Sequence, residues 1–357
     1  MNRRLPQLDG IRALLCFTVV LSHWLGSSMG WVNYNFVNAY LSVDGFFILS
    51  GFVLSWVYAE RIASGRIGMG TFFMHRLARL YPLHLLTLLL SYYTYSTFFS
   101  QYPFPNPFET AVHHLLMLQG MGLSQTWSWN DPAWSISVEL FASLAAFPYI
   151  LRCRNNIILT VVACIGYGIV IAKHHNLMAA SDLNLFILSS GLIKCISGMA
   201  VGVMTKNLVS DSQNSVQHAT KHSFFQMLIL ALVSYYLFTT KDVKSYDLLA
   251  LFGIAYIIYS SCAYDNYLSR ALSSNVMVYL GKISFSVYLI HEPVMVLLAC
   301  FPSYSTMTFL SKSAIFFPLI ITVSAAIYSL FEMPSYNFLK RKIDKKMLRK
   351  QSPVIGS

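Results

Sequence analysis

Residues 8–24 read LDGIRALLCFTVVLSHW, an apolar run that contains Arg12 near one end and His23 eleven positions later. A bilayer core needs about 20 apolar residues per helix, and this run has that length when it is continued to residue 28. Ionisable groups inside such a helix are costly and often functional. The stretch therefore predicts a membrane-spanning helix whose two polar residues need an explanation.

The composition extends this prediction to the whole chain. Of 357 residues, 56% are hydrophobic and 11% are charged, whereas a soluble domain has about 25% charged residues. The net charge of +11 does not indicate nucleic acid, because the basic residues lie between apolar runs and form no single patch. A positive-inside distribution explains them better. We therefore expect a polytopic membrane protein.

The spacing of apolar runs predicts an all-α bundle of about ten transmembrane helices. The longest segment between spans, residues 100–134, contains a predicted interfacial helix around 107–120. We expect one transmembrane domain over 1–340 and a basic cytoplasmic tail over 341–357. The predicted spans lie near 10–28, 37–58, 80–99, 135–151, 156–172, 184–205, 223–239, 246–263, 283–300 and 313–332.

The distribution of Lys and Arg predicts the orientation. With a cytoplasmic N-terminus, the inside loops and the tail FLKRKIDKKMLRK (338–350) hold most of the basic residues, and the outside loops hold four lysines. This asymmetry and the even number of spans place both termini in the cytoplasm. The basic tail is also suited to contact anionic membrane lipids, although a topology signal alone explains it more simply.

Depth along the first two helices brings two ionisable residues to one level. His23 lies about 16 Å beyond Arg12 at 1.5 Å per residue, near the midplane of the membrane. Asp44 follows the turn near residue 33 by about as many positions as His23 precedes it, so an antiparallel hairpin would place both at similar depth. A carboxylate that orients an imidazole builds a general base. A structural Asp–His hydrogen bond inside the bundle is the alternative.

Two arginines follow at the predicted inner end of the third span. Arg76 and Arg79 are three positions apart, which places them on one face of a helix. Two guanidinium groups there are suited to bind phosphate in bidentate fashion. The alternative is ordinary positive-inside charge.

Further polar residues have a functional and a structural interpretation. Glu139 lies about one turn inside the fourth span, where it either faces a cavity from the outer side or pairs with a structural donor. His291 lies near the midplane of the ninth span and is either catalytic or structural. Ser50, beside small residues in the second span, is interpreted as a packing position. Lys194 is a buried charge for which the sequence suggests no role.

Five motifs in order resemble one known family. They are LDGIRALLCFTVVLSH (8–23), VDGFFILSGFVLS (43–55), RLARLYPLHLL (76–86), PAWSISVELF (132–141) and SFSVYLIHEPV (284–294). Together they are similar to the bacterial acyltransferase 3 family of integral-membrane acyltransferases. Glu332 and Pro334 resemble the closing Glu-x-Pro element of that family. The resemblance covers nearly the whole chain, and its specificity comes from the order of the motifs.

The resemblance implies transfer of an acyl group, often acetyl, from cytoplasmic acyl-CoA to an acceptor outside the bacterial inner membrane. Acceptors in this family include lipopolysaccharide O-antigen, capsule, exopolysaccharide, peptidoglycan and small glycosides. No metal is implied, and we expect no fused SGNH hydrolase-like domain. The family's patterns fall on Arg12, His23, Asp44, Arg76, Arg79 and Glu139. Leu140 departs from a common second acidic residue, so a paired-carboxylate role there is in doubt.

A mechanism follows from the predicted depths and the resemblance. Arg76 and Arg79, with Arg12, would bind the phosphates of acetyl-CoA at the inner end. His23 would remove the proton from the acceptor hydroxyl, or form an acyl-His intermediate, while Asp44 orients it and Glu139 lines the acceptor route. The alternatives are a polytopic transporter and a non-catalytic partner in surface polysaccharide assembly. Self-association of the chain is left open.

Overall fold

The described part of the molecule is built from helices. A computed structural model describes residues 4–29, 37–99, 106–123, 129–178, 188–212, 219–239 and 246–351. Every regular element within these ranges is helical, which confirms the all-α prediction. The helices are α1 Gln7–Met29, α2 Leu41–Ala63, α3 Met69–Phe98, α4 Pro107–Leu115, α5 Ala133–Ala145, α6 Phe147–Arg152, α7 Asn156–His174, α8 Ser190–Ser212, α9 Ala219–Thr239, α10 Asp247–Ala263, α11 Tyr267–Leu272, α12 Asn275–Ala299, α13 Pro302–Ser305, α14 Phe309–Ile327 and α15 Met333–Gln351.

Several of these helices are suited to a membrane. Within the described ranges, six helices are long and apolar enough to cross one: Gln7–Ser28, Asn38–Ala63, Asn156–His174, Ser190–Ser210, Asn275–Ala299 and Phe309–Met347. Three shorter apolar helices span Ala133–Ala145, Ser223–Phe238 and Asp247–Ala263. The chain is therefore an all-α membrane protein, while the number of about ten spans and the placement of both termini stay predictions.

Two helix pairs dominate the packing. α2 packs most extensively against α8, and α1 against α12. Glycines allow the α2–α8 approach, because a Cβ at Gly51 would collide with the Met199 backbone and one at Gly202 with the Ile48 backbone. Small residues that bring helix backbones together are typical of membrane bundles. This pairing determines which polar side chains meet.

The helix boundaries differ from the predicted span boundaries at two places. α3 begins at Met69, before the span predicted from residue 80, so Arg76 and Arg79 lie within the helix. The span predicted over 135–151 is interrupted at Ala146, where α5 ends and α6 begins with Pro148 at its second position. Proline lacks the amide hydrogen that would continue the helical bonding of α5. The predicted interfacial helix corresponds to the short α4.

The chain near its C-terminus packs against α3. A π-helical turn at Tyr328–Glu332 connects α14 to α15. The Nε2 atom of His75 in α3 lies 2.8 Å from Oδ1 of Asp344 in α15. Part of the predicted basic tail is therefore a helix that contacts the bundle. The division into a domain over 1–340 and a tail over 341–357 stays a prediction.

Candidate active site

A cavity of about 330 Å³ lies among α1, α2, α3, α5, α12 and α15. It has a size typical of small-molecule sites, which are about 300–1,000 Å³. Its wall brings five of the predicted site residues together, and we call it the arginine cavity. Its polar lining consists of Arg12, Ser50, Tyr58, His75, Arg76, Arg79, Ser135, Glu139, Ser284, Tyr288 and Tyr336.

Glu139 of α5 connects two other helices within this wall. Its Oε1 atom accepts hydrogen bonds from Nη2 of Arg76 in α3 and from Oγ of Ser50 in α2. An ion pair with a further neutral donor satisfies a carboxylate that is largely shielded from solvent. Glu139 therefore lies beside the arginines that are predicted to bind the donor, and its role along the acceptor route stays a prediction. Ser50 thus donates a hydrogen bond to Glu139, and it also lies next to Gly51, which packs against α8.

A second carboxylate fixes the other arginine of α3. Arg79 donates to Glu332, which also accepts from the hydroxyl of Ser286. The guanidinium of Arg79 lies 5.1 Å from the ring centroid of Phe285 and 5.8 Å from that of Tyr336. Arg76 and Arg79 share one face of α3, as predicted, but each is already paired with a buried or half-buried carboxylate.

Arg12 lies at the end of the cavity near the start of α1. Its Nη1 atom donates to Asp9 at 3.0 Å. The other Asp9 oxygen accepts from Arg4 at 3.3 Å. The side chains of Arg12 and Arg79 are 30% and 29% exposed, whereas that of Arg76 is 11% exposed. Among these three arginines, Arg12 and Arg79 are thus better placed to meet an entering ligand.

His23 pairs with the second predicted histidine, His291 of α12. Nδ1 of His23 lies 3.0 Å from Nε2 of His291, and Nδ1 of His291 lies 2.7 Å from the carbonyl oxygen of Tyr288. A carbonyl only accepts, so Nδ1 of His291 carries the hydrogen. In a neutral pair, Nε2 of His291 then accepts from Nδ1 of His23. The hydrogen-bond network thereby assigns the unprotonated nitrogen of His23 to Nε2.

Tyr288 lies between the histidine pair and the arginine cavity. It lines the cavity, its hydroxyl is 2.8 Å from Oγ of Ser135, and its ring centroid is 6.0 Å from that of His291. In the described part of the chain, neither histidine lines the cavity. Tyr288 thus connects the cavity wall with the histidine pair.

The predicted Asp44–His23 contact is wrong. Oδ2 of Asp44 accepts from Nζ of Lys194 in α8 at 3.1 Å, and Oδ1 has no hydrogen-bond partner among the described residues. Lys194 also donates to the carbonyl of Leu177 at 2.6 Å. Because α2 packs on α8 and α1 on α12, Asp44 meets a cation of α8 and His23 meets a histidine of α12. Asp44 therefore does not orient His23.

The comparison with protein families identifies the chain. The family model described as an acyltransferase domain matches residues 5–329. The chain belongs to this acyltransferase family. All of the residues that line the arginine cavity except Tyr336 lie within the matched range. Together with its apolar helices, this match makes the chain a multi-pass membrane protein of the acyltransferase family.

Two curated relatives are similar to parts of this family member. "Protein 2 in picA locus" of Rhizobium radiobacter is 41% identical over 83 residues, which cover 23% of this chain and 41% of that protein. "Acyltransferase MdmB" of Streptomyces mycarofaciens is 31% identical over 165 residues, which cover 43% of this chain and 41% of that protein. The chain thus spans less than half of the length of either relative in these matches. No solved structure matches.

Three residues with buried polar contacts in or near the candidate site were not assigned a role from the sequence. Tyr288 is three positions before His291 in the motif SFSVYLIHEPV, a spacing that places both on one helix face. Glu332 had been noted only in a family element, and its pairing with Arg79 joins segments far apart in the chain. The sequence shows Lys194 as a buried charge without an assigned partner. The signal for its partner is a charge of opposite sign in another apolar run, and Asp44 is such a charge.

Proposed function

We propose that this membrane protein transfers an acyl group, most simply acetyl, from cytoplasmic acyl-CoA to a hydroxyl of an extracytoplasmic glycan. O-antigen, capsule and exopolysaccharide are the proposed acceptor classes, and the bacterial inner membrane is the proposed location. Membership of the acyltransferase family supports the reaction class. The acyl-CoA donor, the glycan acceptor and the inner-membrane location belong to the proposal and go beyond this family membership.

The observation that carries this proposal is the histidine pair beside Tyr288, a residue that lines the arginine cavity. The wall of the cavity contains the three arginines and Tyr288. The basic Nε2 of His23 belongs to a ring fixed by His291, which is fixed in turn by the Tyr288 carbonyl. A positioned imidazole of this kind is the usual general base for a hydroxyl nucleophile.

The proposed reaction balances without an external proton source. Nε2 of His23 accepts the proton of the acceptor hydroxyl while that oxygen bonds to the thioester carbon. The carbon–sulfur bond of the tetrahedral intermediate then breaks, and the sulfur leaves as a thiolate. His23 returns the proton to that sulfur, which gives an ester and the free thiol of CoA. The histidine pair ends each cycle in its starting protonation state.

The proposed donor route runs through the arginine cavity. Arg12 and Arg79 have more exposed side chains than Arg76 and are the proposed contacts for the donor, and Arg76 with Glu139 forms a fixed polar wall beside it. Because Tyr288 lines the cavity and neither histidine does, the proposed route requires the Tyr288 side chain to move aside before the thioester reaches His23. Such a movement would break the hydroxyl contacts with Ser135 and with the carbonyl of Pro132.

Mass spectrometry of the host's surface glycans tests the proposal. Strains would carry the wild-type gene, no gene, or the His23→Ala variant, with membrane levels of the protein measured by immunoblot. We expect a mass increase of one acetyl group per modified repeat with the wild type alone. Equal acylation with His23→Ala would reject the general base, and identical glycans in the wild-type and deletion strains would reject the proposed acceptor.

A further inference from the structure

A second cavity, of about 450 Å³, adjoins the arginine cavity. The two share Arg12, Val53 and Val57 in their walls. One extended molecule is thus able to occupy both. We call this second space the mouth cavity, because it lies at the end of the bundle predicted to face the cytoplasm. It is lined by Arg4, Leu5, Leu8, Asp9, Arg12, Val53, Trp56, Val57, Glu60, Arg61 and Arg66.

The charge of the mouth cavity suits a polyanion. Four arginines and two carboxylates line it. Asp9 is bonded to both Arg4 and Arg12. Arg61 and Arg66 have no carboxylate within ion-pair distance in the described part of the chain, and Arg66 donates only to the Ser64 hydroxyl, at 2.9 Å. Two exposed guanidinium groups are thereby left for phosphate oxygens, which they bind with good geometry.

An aromatic ring accompanies these charges. Trp56 of α2 is half-buried in the wall of the mouth cavity, and its ring stacks on buried Phe52 with a centroid distance of 6.0 Å and an interplanar angle of 15°. A ring held in this way is a stacking surface for a nucleobase, and such stacking does not depend on base identity. Cations and an indole in one cavity together indicate a nucleotide.

We propose that the mouth cavity binds the 3′-phosphorylated adenosine diphosphate end of the acyl-CoA donor, with Arg61 and Arg66 on the 3′-phosphate. This inference rests on the proposed function. The order of groups in CoA sets the assignment: the pantetheine arm enters the arginine cavity, and the diphosphate lies at the shared residue Arg12. The 3′-phosphate, beyond the diphosphate, lies among side chains that the arginine cavity does not share. At pH 7 a phosphomonoester carries a charge of about −1.5 to −2.

A larger neighbouring cavity does not adjoin the arginine cavity, as a site for the other end of the donor must. It has a volume of about 920 Å³ and also contains basic residues, among them Arg66, Arg152 and Lys206. Its wall has no residue in common with that of the arginine cavity. A donor whose thioester lies in the arginine cavity therefore reaches the mouth cavity first. Arg152 belongs to the larger cavity alone and is an exposed matched control.

Binding of CoA and of 3′-dephospho-CoA by the full-length protein in nanodiscs tests the inference. Isothermal titration calorimetry would use wild type, Arg61→Ala/Arg66→Ala and Arg152→Ala. Loss of charge-assisted hydrogen bonds predicts that wild type binds dephospho-CoA about 10- to 100-fold more weakly than CoA. The double variant should bind both ligands with the weaker affinity, because it has lost the groups that read the 3′-phosphate. Arg152→Ala should keep the wild-type ratio.

Other outcomes of these titrations show whether the 3′-phosphate assignment, the donor or the kind of ligand is wrong. A double variant that keeps the wild-type preference for CoA over dephospho-CoA overturns this inference and leaves the proposed donor intact. A wild-type protein that binds neither ligand rejects the donor itself. If the double variant loses co-purifying anionic lipid while its CoA binding in zwitterionic nanodiscs is unchanged, the cavity holds lipid headgroups instead. Thermal unfolding would establish that the variants are folded, and Arg66→Gln provides a milder replacement.

Discussion

Replacement of His291 by alanine is the sharpest test of the histidine pair. The substitution removes the acceptor of the His23 Nδ1 hydrogen bond, 3.0 Å long, while His23 itself stays in place. Without that bond, the His23 ring loses both its selected tautomer and its orientation. The chemistry should therefore slow even though the proposed base is present.

The expected loss follows from two contributions. A hydrogen bond contributes a net amount of about 0.5–1.5 kcal/mol, which corresponds to about a 2- to 13-fold change in the tautomer population. Misplacement of a catalytic group adds up to about 10²-fold. We expect kcat of His291→Ala to fall by about 10- to 100-fold, whereas removal of a general base in His23→Ala should cost about 10²–10⁴-fold.

The assay would follow radiolabelled acetyl transfer from acetyl-CoA into host glycan in membrane vesicles, with rates normalised to the amount of folded protein. The double variant His23→Ala/His291→Ala should be no slower than His23→Ala, because His291 acts through His23. His84→Ala serves as the matched control, since His84 is another buried histidine bonded to a backbone carbonyl, that of His114, at 2.8 Å. Wild-type activity in His291→Ala, or fully multiplicative losses in the double variant, would refute this reasoning.

The other predictions concern stability. Lys194→Met leaves the carboxylate of Asp44 buried and unpaired, so we expect the free energy of unfolding to fall by about 3–5 kcal/mol. The double variant Asp44→Leu/Lys194→Met should recover most of this loss. Equal melting temperatures of the single and double variants would contradict this. Gly202→Leu should separate α2 from α8 and lower the melting temperature by several degrees, whereas Gly168→Leu, where a side chain meets open space, should not. Burial raises the pKa of Asp131 from 3.8 to about 7. Because the unfolded chain releases this proton at lower pH than the folded chain, the contribution to stability is present below about pH 4 and is lost as the pH rises to about 7. Asp131→Asn should remove this pH-dependent part of the free energy of unfolding. If the melting temperature of the variant depends on pH between 4 and 8 as that of the wild type does, Asp131 is not the source.

Part of the site was accessible from the sequence because its signals are local. Apolar runs of sufficient length predicted an all-α membrane protein, and the depth of His23 and His291 followed from counting residues along a helix. The spacing of Arg76 and Arg79 predicted their common face on α3. Each of these statements depends on neighbours in one helix, so no knowledge of helix packing was needed.

The partners of the polar residues were decided by tertiary structure. Equal distance from a turn suggested that Asp44 meets His23, but close packing at Gly51 and Gly202 directs α2 towards α8 and Lys194. His23 meets His291 because α1 packs along α12. The sequence by itself determined which ionisable groups lie in long apolar segments, since hydropathy is a property of each segment. Which of them pair depends on the rotation and neighbours of whole helices, and those are fixed only when the helices pack.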